Sequence, residues 1–370
     1  MALRLRELGE SRNTCLASRG SRFRILLPAI LLLSFLSWSS ADPVSALQDQ
    51  QISEWKKWLV EYPPSKGAIE IELVGSFPSE SGSADEAYLW KPIRMTQDRE
   101  GNIYVLDYRA KKVLKFNSGG QLQKTYGIEG QGPGEFVNPR GLCAGEERIV
   151  VSDTSKVDLQ FLSNGLEFIG SERVKKSYYE VCAGKNGTIY GASIIGPGGA
   201  FLIDVIDARG QLAYSFGKPI FRDRPASAIL SFVRLDVMEN GDVLAAYEHA
   251  PLVCRFSSKG EMIGSFELDD PLMKILARRN LESAEKRTST YWQVIQGIRA
   301  WKNRFFILQT CPYLKITEFD AQGKKLNEFW AMQSYDYAVG DLLVRGSEPD
   351  LEFLLMQTVP ETSIQVFRRK

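Results

Sequence analysis

A large apolar residue four positions ahead of a glycine recurs along the chain, at Phe116/Gly120, Phe161/Gly165, Ile206/Gly210, Phe256/Gly260 and Phe319/Gly323, and a last Phe367 stands near the end. The intervals between these landmarks are 45, 45, 50, 63 and 48 residues, which makes six units. A period of this size constrains the fold more than composition does, because it means that one supersecondary unit is copied and stacked. Each unit is a set of short β-rich runs ended by turn residues. A second landmark keeps step with the first: Gly101-Asn102 before Ile103, Arg148 before Ile149, Asn186-Gly187 before Ile189, Asn240-Gly241 before Val243, and Asn303 before Phe305. Glycine and asparagine supply the positive φ angles of tight hairpins, so each unit reads as about four antiparallel strands. That is the period of a propeller blade rather than of a helical array.

The sixth unit stops at Phe367 without a fourth strand. The missing strand lies at the other end of the chain, where Glu72–Phe77 (ELVGSF) matches the fourth strand of unit four, Glu261–Phe266 (EMIGSF). Pairing residues 69–77 with the strand that ends at Phe367 closes the ring and removes the open edges of an unclosed array. The predicted fold is an all-β, six-bladed β-propeller over residues 69–370, closed by an N-terminal strand. Two helices lie outside the repeat. Ile52, Trp55, Trp58, Leu59 and Tyr62 have helical spacing and predict an amphipathic helix over 52–62, docked on the propeller or on a partner. Residues 270–288 begin with Asp270-Pro271, a cap and first-turn signature, and predict a helical insertion that accounts for the 63-residue interval.

Residues 1–41 hold six Arg, two Glu and an apolar run from Ile25, followed by small residues at Ser39 and Ala41. This pattern predicts a signal peptide cleaved at Ala41, or at Ala46, and export to a periplasmic or extracellular space; a retained N-terminal anchor is the alternative. The remaining residues carry 40 basic and 43 acidic side chains, which gives no case for nucleic-acid binding. After processing, no later run is apolar enough to span a membrane. The one histidine, His249, excludes His-cluster zinc sites and any triad built elsewhere in the chain. Cys143, Cys182, Cys254 and Cys311 are widely spaced and form no Cys-x-x-Cys pair, as expected of buried thiols.

The loop Gly127–Phe136 (GIEGQGPGEF), followed by Pro139, together with Ile103–Asp107 (IYVLD) and Ile149–Asp153 (IVVSD), resembles the NHL-repeat group of six-bladed propellers, within the TolB-like propellers. The resemblance implies a central channel and no single activity. It also implies that Asp107 and Asp153 tie blades together by hydrogen bonds. Related lyases use histidine metal ligands, which one histidine cannot supply. Related lactonases hold calcium with carboxylates at the channel mouth.

Counting nine residues upstream of Ile103, Ile149, Ile189 and Val243 reaches Arg94, Arg140, Glu180 and Arg234. Arg299 joins them if the blade-five hairpin is shorter, with Arg345 a weaker match in blade six. A ring of arginines at one end of the channel would bind carboxylate, phosphate or sulfate, or would pair with neighbouring carboxylates to join the blades. Trp90, Phe136, Tyr178, Phe232 and Tyr291-Trp292 precede the ring and would stack on a ligand or wedge between blades. His249 with Glu248 offers an acid–base pair or a loop histidine with its hydrogen bonds satisfied. The sequence therefore points to an exported, monomeric binding module without a cofactor, taking an anionic small molecule, peptide or protein at the arginine- and aromatic-rich mouth. The alternatives are a calcium-dependent lactonase or hydrolase and a structural scaffold.

Overall fold

The computed structural model describes residues 43–78, 88–194, 199–220, 226–288 and 290–370. The leader expected at 1–41 lies outside them. After β1 (Ile69–Phe77), blade one is formed by β2 (Pro92–Gln97), β3 (Ile103–Asp107), β4 (Lys112–Phe116) and β5 (Leu122–Tyr126). Blade two follows with β6 (Pro139–Ala144), β7 (Arg148–Asp153), β8 (Asp158–Ser163) and β9 (Phe168–Arg173). Blade three has β10 (Tyr178–Ala183), β11 (Ile189–Ser193), β12 (Ile203–Ile206) and β13 (Leu212–Phe216). Blade four has β14 (Val233–Val237), β15 (Val243–Tyr247), β16 (Leu252–Phe256) and β17 (Met262–Glu267). Blade five has β18 (Gly297–Trp301), β19 (Arg304–Gln309), β20 (Leu314–Asp320) and β21 (Lys325–Ala331). Blade six has β22 (Ala338–Arg345), β23 (Glu352–Val359) and β24 (Ser363–Arg369).

Strands within a blade are antiparallel neighbours in chain order. The first strands of the blades contact one another in the cyclic order β2, β6, β10, β14, β18, β22 and back to β2, so the ring is closed. As expected, β1 is the fourth strand of blade six and pairs antiparallel with β24, Leu73 opposite Phe367. Its first residues do more than this, since Ile69 and Glu70 also pair in parallel with Phe329 and Trp330 of β21 and fuse blades five and six into one eight-stranded sheet. One carboxylate reinforces this seam and a second ties together the strands of blade six. Glu328 accepts from the Ser65 amide (2.9 Å) and the Lys325 ammonium (2.5 Å), and Glu352 takes both Arg345 and Arg368.

The repeated glycines have a packing reason. Gly120, Gly260 and Gly323 have φ near +81°, and a Cβ on each would come within 2.6 Å or less of Phe77, Phe216 and Phe266, the phenylalanines that end the outer strands of the preceding blades. Phe77 and Phe266 thus fill the same interblade notch, which is why Glu72–Phe77 and Glu261–Phe266 read alike. In the GEF loop, Gly127 (φ +107°) lies so close to Phe136 that a Cβ would meet its ring at 2.5 Å.

α1 (Pro43–Glu61) starts at Pro43 rather than residue 52, with a proline at its first position, where the missing N–H leaves no helical hydrogen bond unmade. It docks on the propeller. Trp58 is buried against Trp292 (5.6 Å between ring centroids), Trp55 donates to the Pro312 carbonyl at 2.6 Å, and Glu54 pairs with Arg279 at 2.5 Å. A short turn, α2 (Ser227–Leu230), precedes β14. The insertion is α3 (Pro271–Glu285), capped as expected by Asp270, whose carboxylate accepts from the Met273 amide at 2.8 Å. Among the described residues no helix is long and apolar enough to cross a membrane. Cys143, Cys182, Cys254 and Cys311 are free thiols, and burial pushes Cys143 and Cys254 up to about 12.

Candidate functional site

The inner strands present two layers of side chains to the channel. The residue that pairs with the third position after each hairpin landmark is Arg94 opposite Leu106, Gly141 opposite Ser152, Glu180 opposite Ala192, Arg234 opposite Ala246 and Gly297 opposite Leu308. Asp341, at the bulge between Val339 and Leu342, stands beside them. One layer further along are Thr96, Cys143, Cys182, Asp236 and Arg299. Arg94, Glu180 and Arg234 therefore share a level as expected, and Arg140 and Arg299 do not. The turn from β6 to β7 is one residue shorter than its blade-one counterpart, so a fixed count overshoots to the bulge residue Arg140. The tight turn after Trp301 drops Arg299 one layer deeper. Arg345 is outside the channel, paired with Glu352.

These charges neutralise one another across blades. Glu180 accepts from Arg94 at 2.8 Å and lies 3.4 Å from Arg234, which also pairs with Glu248 at 3.0 Å. Arg299 is 3.7 Å from Asp236 and 3.5 Å from Asp341. The aspartates also suture the inner strands: Asp341 accepts from the Met95 amide and Asp236 from the Ala300 amide. Burial pushes the Glu180 and Asp236 carboxyls up, with the arginines pulling back. Burial works against the charge of Arg234 and Arg299, and the carboxylates more than offset it, raising both guanidinium pKa values. Breaking such a group by removing one partner leaves an uncompensated buried charge, so these arginines hold the ring together.

A cavity of about 290 Å³ adjoins this layer. It is lined in blade one by Arg94 through Arg99 and in the other blades by residues from the charged layers onward, so it opens toward the turns between first and second strands. The expected mouth, on the side of Trp90 and Phe136, is the opposite end. The cavity carboxylates are each engaged by arginine or backbone, and among the described residues no group of three His, Cys, Asp or Glu side chains is placed to hold a metal ion, so the residues present do not fit the calcium site considered from sequence.

The expected aromatics separate into packing and surface. Phe136 and Tyr178 are buried between blades, Tyr178 donating to Asp204 at 2.9 Å. Phe232 packs on Tyr179 and Trp292 on Trp58. His249 faces the Trp292 carbonyl at 3.0 Å, in a loop that Asn280 of α3 fastens, and Glu248 turns to Arg234, so the two form no acid–base pair. Only Trp90 is on the surface, 55% exposed, because Leu89 takes the buried interblade place that Phe136 fills in blade two.

Around Trp90 a second site emerges that counting from landmarks does not find. The Asp107 carboxylate, fully buried, accepts from the amides of Trp90, Lys91, Arg109 and Ala110, clamping the loop before β2 to the turn after β3. Asp153 does the same in blade two for Val137, Asn138, Ser155 and Lys156. On the blade-one clamp stands a crown of cations and rings. Lys111, Arg140 and Lys91 lie 4.2, 4.4 and 5.6 Å from the Tyr108 ring centroid, and Arg109 lies 5.2 Å from that of Trp90. Among the described residues none of these four cations has a carboxylate partner. Burial, with repulsion from Arg94, lowers the Arg140 pKa. Four cations on one end of a body with slightly more acidic than basic side chains form an anion-attracting patch.

A family model described as a 6-bladed beta-propeller, DUF5128, matches residues 84–193, which include this crown. Among solved structures, a protein from Bacteroides fragilis described as exported is similar at 11% identity, covering 81% of this chain and 95% of that one with a TM-score of 0.55. A member of the DUF4221 family from Bacteroides vulgatus is similar at 12% identity, 82% and 100% coverage and TM-score 0.54. Virginiamycin B lyase from Staphylococcus aureus is similar at 11% identity, 82% and 95% coverage and TM-score 0.51. No curated protein matches the chain. At these identities the likeness shows the fold, a six-bladed β-propeller, and nothing of activity.

Proposed function

We propose that the protein is an exported binding module that takes an anionic ligand on the blade-one crown formed by Trp90, Lys91, Tyr108, Arg109, Lys111 and Arg140. One observation carries this reading: four cations and two aromatic rings gather, without a carboxylate partner among the described residues, on a clamp that blade two builds equally well without them. The cations have no structural duty there comparable to that of Arg94, Arg234 and Arg299, whose partners are buried acids. Export is supported by the leader pattern and by the described fold neighbour from Bacteroides fragilis.

The enzyme reading has less behind it. The lyase among the fold neighbours has a histidine-to-alanine form described as catalytically inactive, whereas the one histidine of this chain is tied to the Trp292 carbonyl. Calorimetric titration with citrate, hexaglutamate and hexagalacturonate tests the binding reading. At least one should bind, with affinity that collapses at high salt and falls about tenfold in Arg140→Gln, as expected for loss of one charge-assisted contact. Absence of binding by all three, or binding indifferent to salt and to Arg140, would overturn it.

A further inference from the structure

We infer that the anionic ligand of the crown is an acidic saccharide, a chain of sugars bearing carboxylates; the inference rests on the binding reading above. Two kinds of surface lie side by side. Trp90 and Tyr88 are 55% and 60% exposed and meet edge to face at 6.1 Å, leaving exposed aromatic ring surface on this end of the molecule. Next to it, Lys91, Lys111 and Arg140 surround Tyr108 within 5.6 Å of its ring. A partner that fits both must present an apolar face and, a few ångströms away, fixed negative charge. A uronic acid residue does so, its ring C–H face stacking on the indole while its carboxylate reaches a guanidinium or ammonium group.

An extended acidic peptide fits less well. Its main chain needs hydrogen-bond partners on the surface it crosses. Here the amides of Trp90, Lys91, Arg109 and Ala110 are already held by Asp107, and the Tyr108 amide donates to the Lys91 carbonyl. The loops therefore offer side-chain faces and charges rather than free main-chain donors. Single-stranded nucleic acid also stacks on aromatic rings, but it is held by a positive groove that follows its backbone. Beyond residue 41 the chain has 43 acidic against 40 basic side chains, which gives no basic surplus for such a groove.

The test is a titration of the protein with hexagalacturonate, hexaglutamate, maltohexaose and a thymidine hexanucleotide, read by calorimetry and tryptophan fluorescence. Hexagalacturonate should bind at least tenfold more tightly than the other three, lose at least tenfold in affinity in Trp90→Ala, and recover most of it in Trp90→Phe. Equal or tighter binding of hexaglutamate or the hexanucleotide, reduced by Arg140→Gln, would overturn the saccharide assignment and leave the anion site standing. Maltohexaose binding as tightly as hexagalacturonate would remove the role of charge. No binding by any of the four would overturn the site itself. Because Trp90 is exposed, a Trp90→Ala variant with unchanged melting temperature and unchanged hexagalacturonate affinity counts directly against the inference.

Discussion

Blades one and two contain the same clamp under different crowns. Asp107 and Asp153 each hold four backbone amides, and Lys111 and Val157 each sit at φ +55° in the turn that follows. Above the first clamp are Trp90, Lys91, Tyr108, Arg109 and Lys111; above the second, at the same positions, are Val137, Asn138, Thr154, Ser155 and Val157. Since the backbone is alike, the fold does not require the cations and rings of blade one. The comparison separates what builds the propeller from what decorates it, and the decoration is where function is to be sought.

The clamps should fail together. Asp107→Ala and Asp153→Ala each leave four backbone donors without their acceptor, and each should cost about 3–5 kcal/mol, read as matching shifts in chemical denaturation. A large gap between the two would show that the clamps are not equivalent.

Acid should weaken both crowns at once by loosening the ring that carries them. Burial raises the Glu328 and Glu352 carboxyls, but hydrogen bonds from Lys325 and Ser65, and from Arg345 and Arg368, outweigh it and hold both below the ordinary glutamate value. A carboxyl with a depressed native pKa contributes stability above its unfolded pKa and loses that contribution as pH falls through the native one. Stability should therefore decline as pH drops below about 4.5, and Glu328→Gln should flatten the decline. An unchanged profile in that variant would remove Glu328 from the seam.

The two left-handed residues should respond with different strength. Val157 is β-branched, and a branched side chain tolerates positive φ poorly, so Val157→Asn should stabilise by roughly 1 kcal/mol, whereas Lys111→Asn should gain less than about half of that. Equal gains would mean that the side chains are not what distinguishes the turns. The smallest effect is expected from Tyr108→Thr, which gives blade one the blade-two residue: stability should change by less than about 1 kcal/mol, because cation–π contacts of half-buried rings near solvent are weak, while anion binding suffers.

The ring was readable from sequence because its landmarks are backbone constraints. Gly120, Gly260 and Gly323 must be glycine where a phenylalanine from the preceding blade presses on them, and the matched strands ending in Phe77 and Phe266 announced the closure. The channel was half readable. Arg94, Glu180 and Arg234 share a level, but hairpins of unequal length displaced Arg140 and Arg299, and Asp341 was missed because its blade begins with a bulge. That the arginines face carboxylates was open from sequence, since their acids come from other blades. The crown was not readable as a site at all. Its cations come from three separate segments that meet over Tyr108, and only Trp90 and Arg140 stood out in the sequence, for a channel position that neither occupies.

The most direct test exchanges the crowns. A variant carrying Trp90→Val, Lys91→Asn, Tyr108→Thr, Arg109→Ser and Lys111→Val has a blade-one clamp with blade-two side chains, each already tolerated on an equivalent backbone. Calorimetric titration with hexagalacturonate should then show binding to the native protein and none to the crown-exchanged variant, at nearly unchanged melting temperature. Undiminished binding by the folded variant would contradict the placement of function on this face.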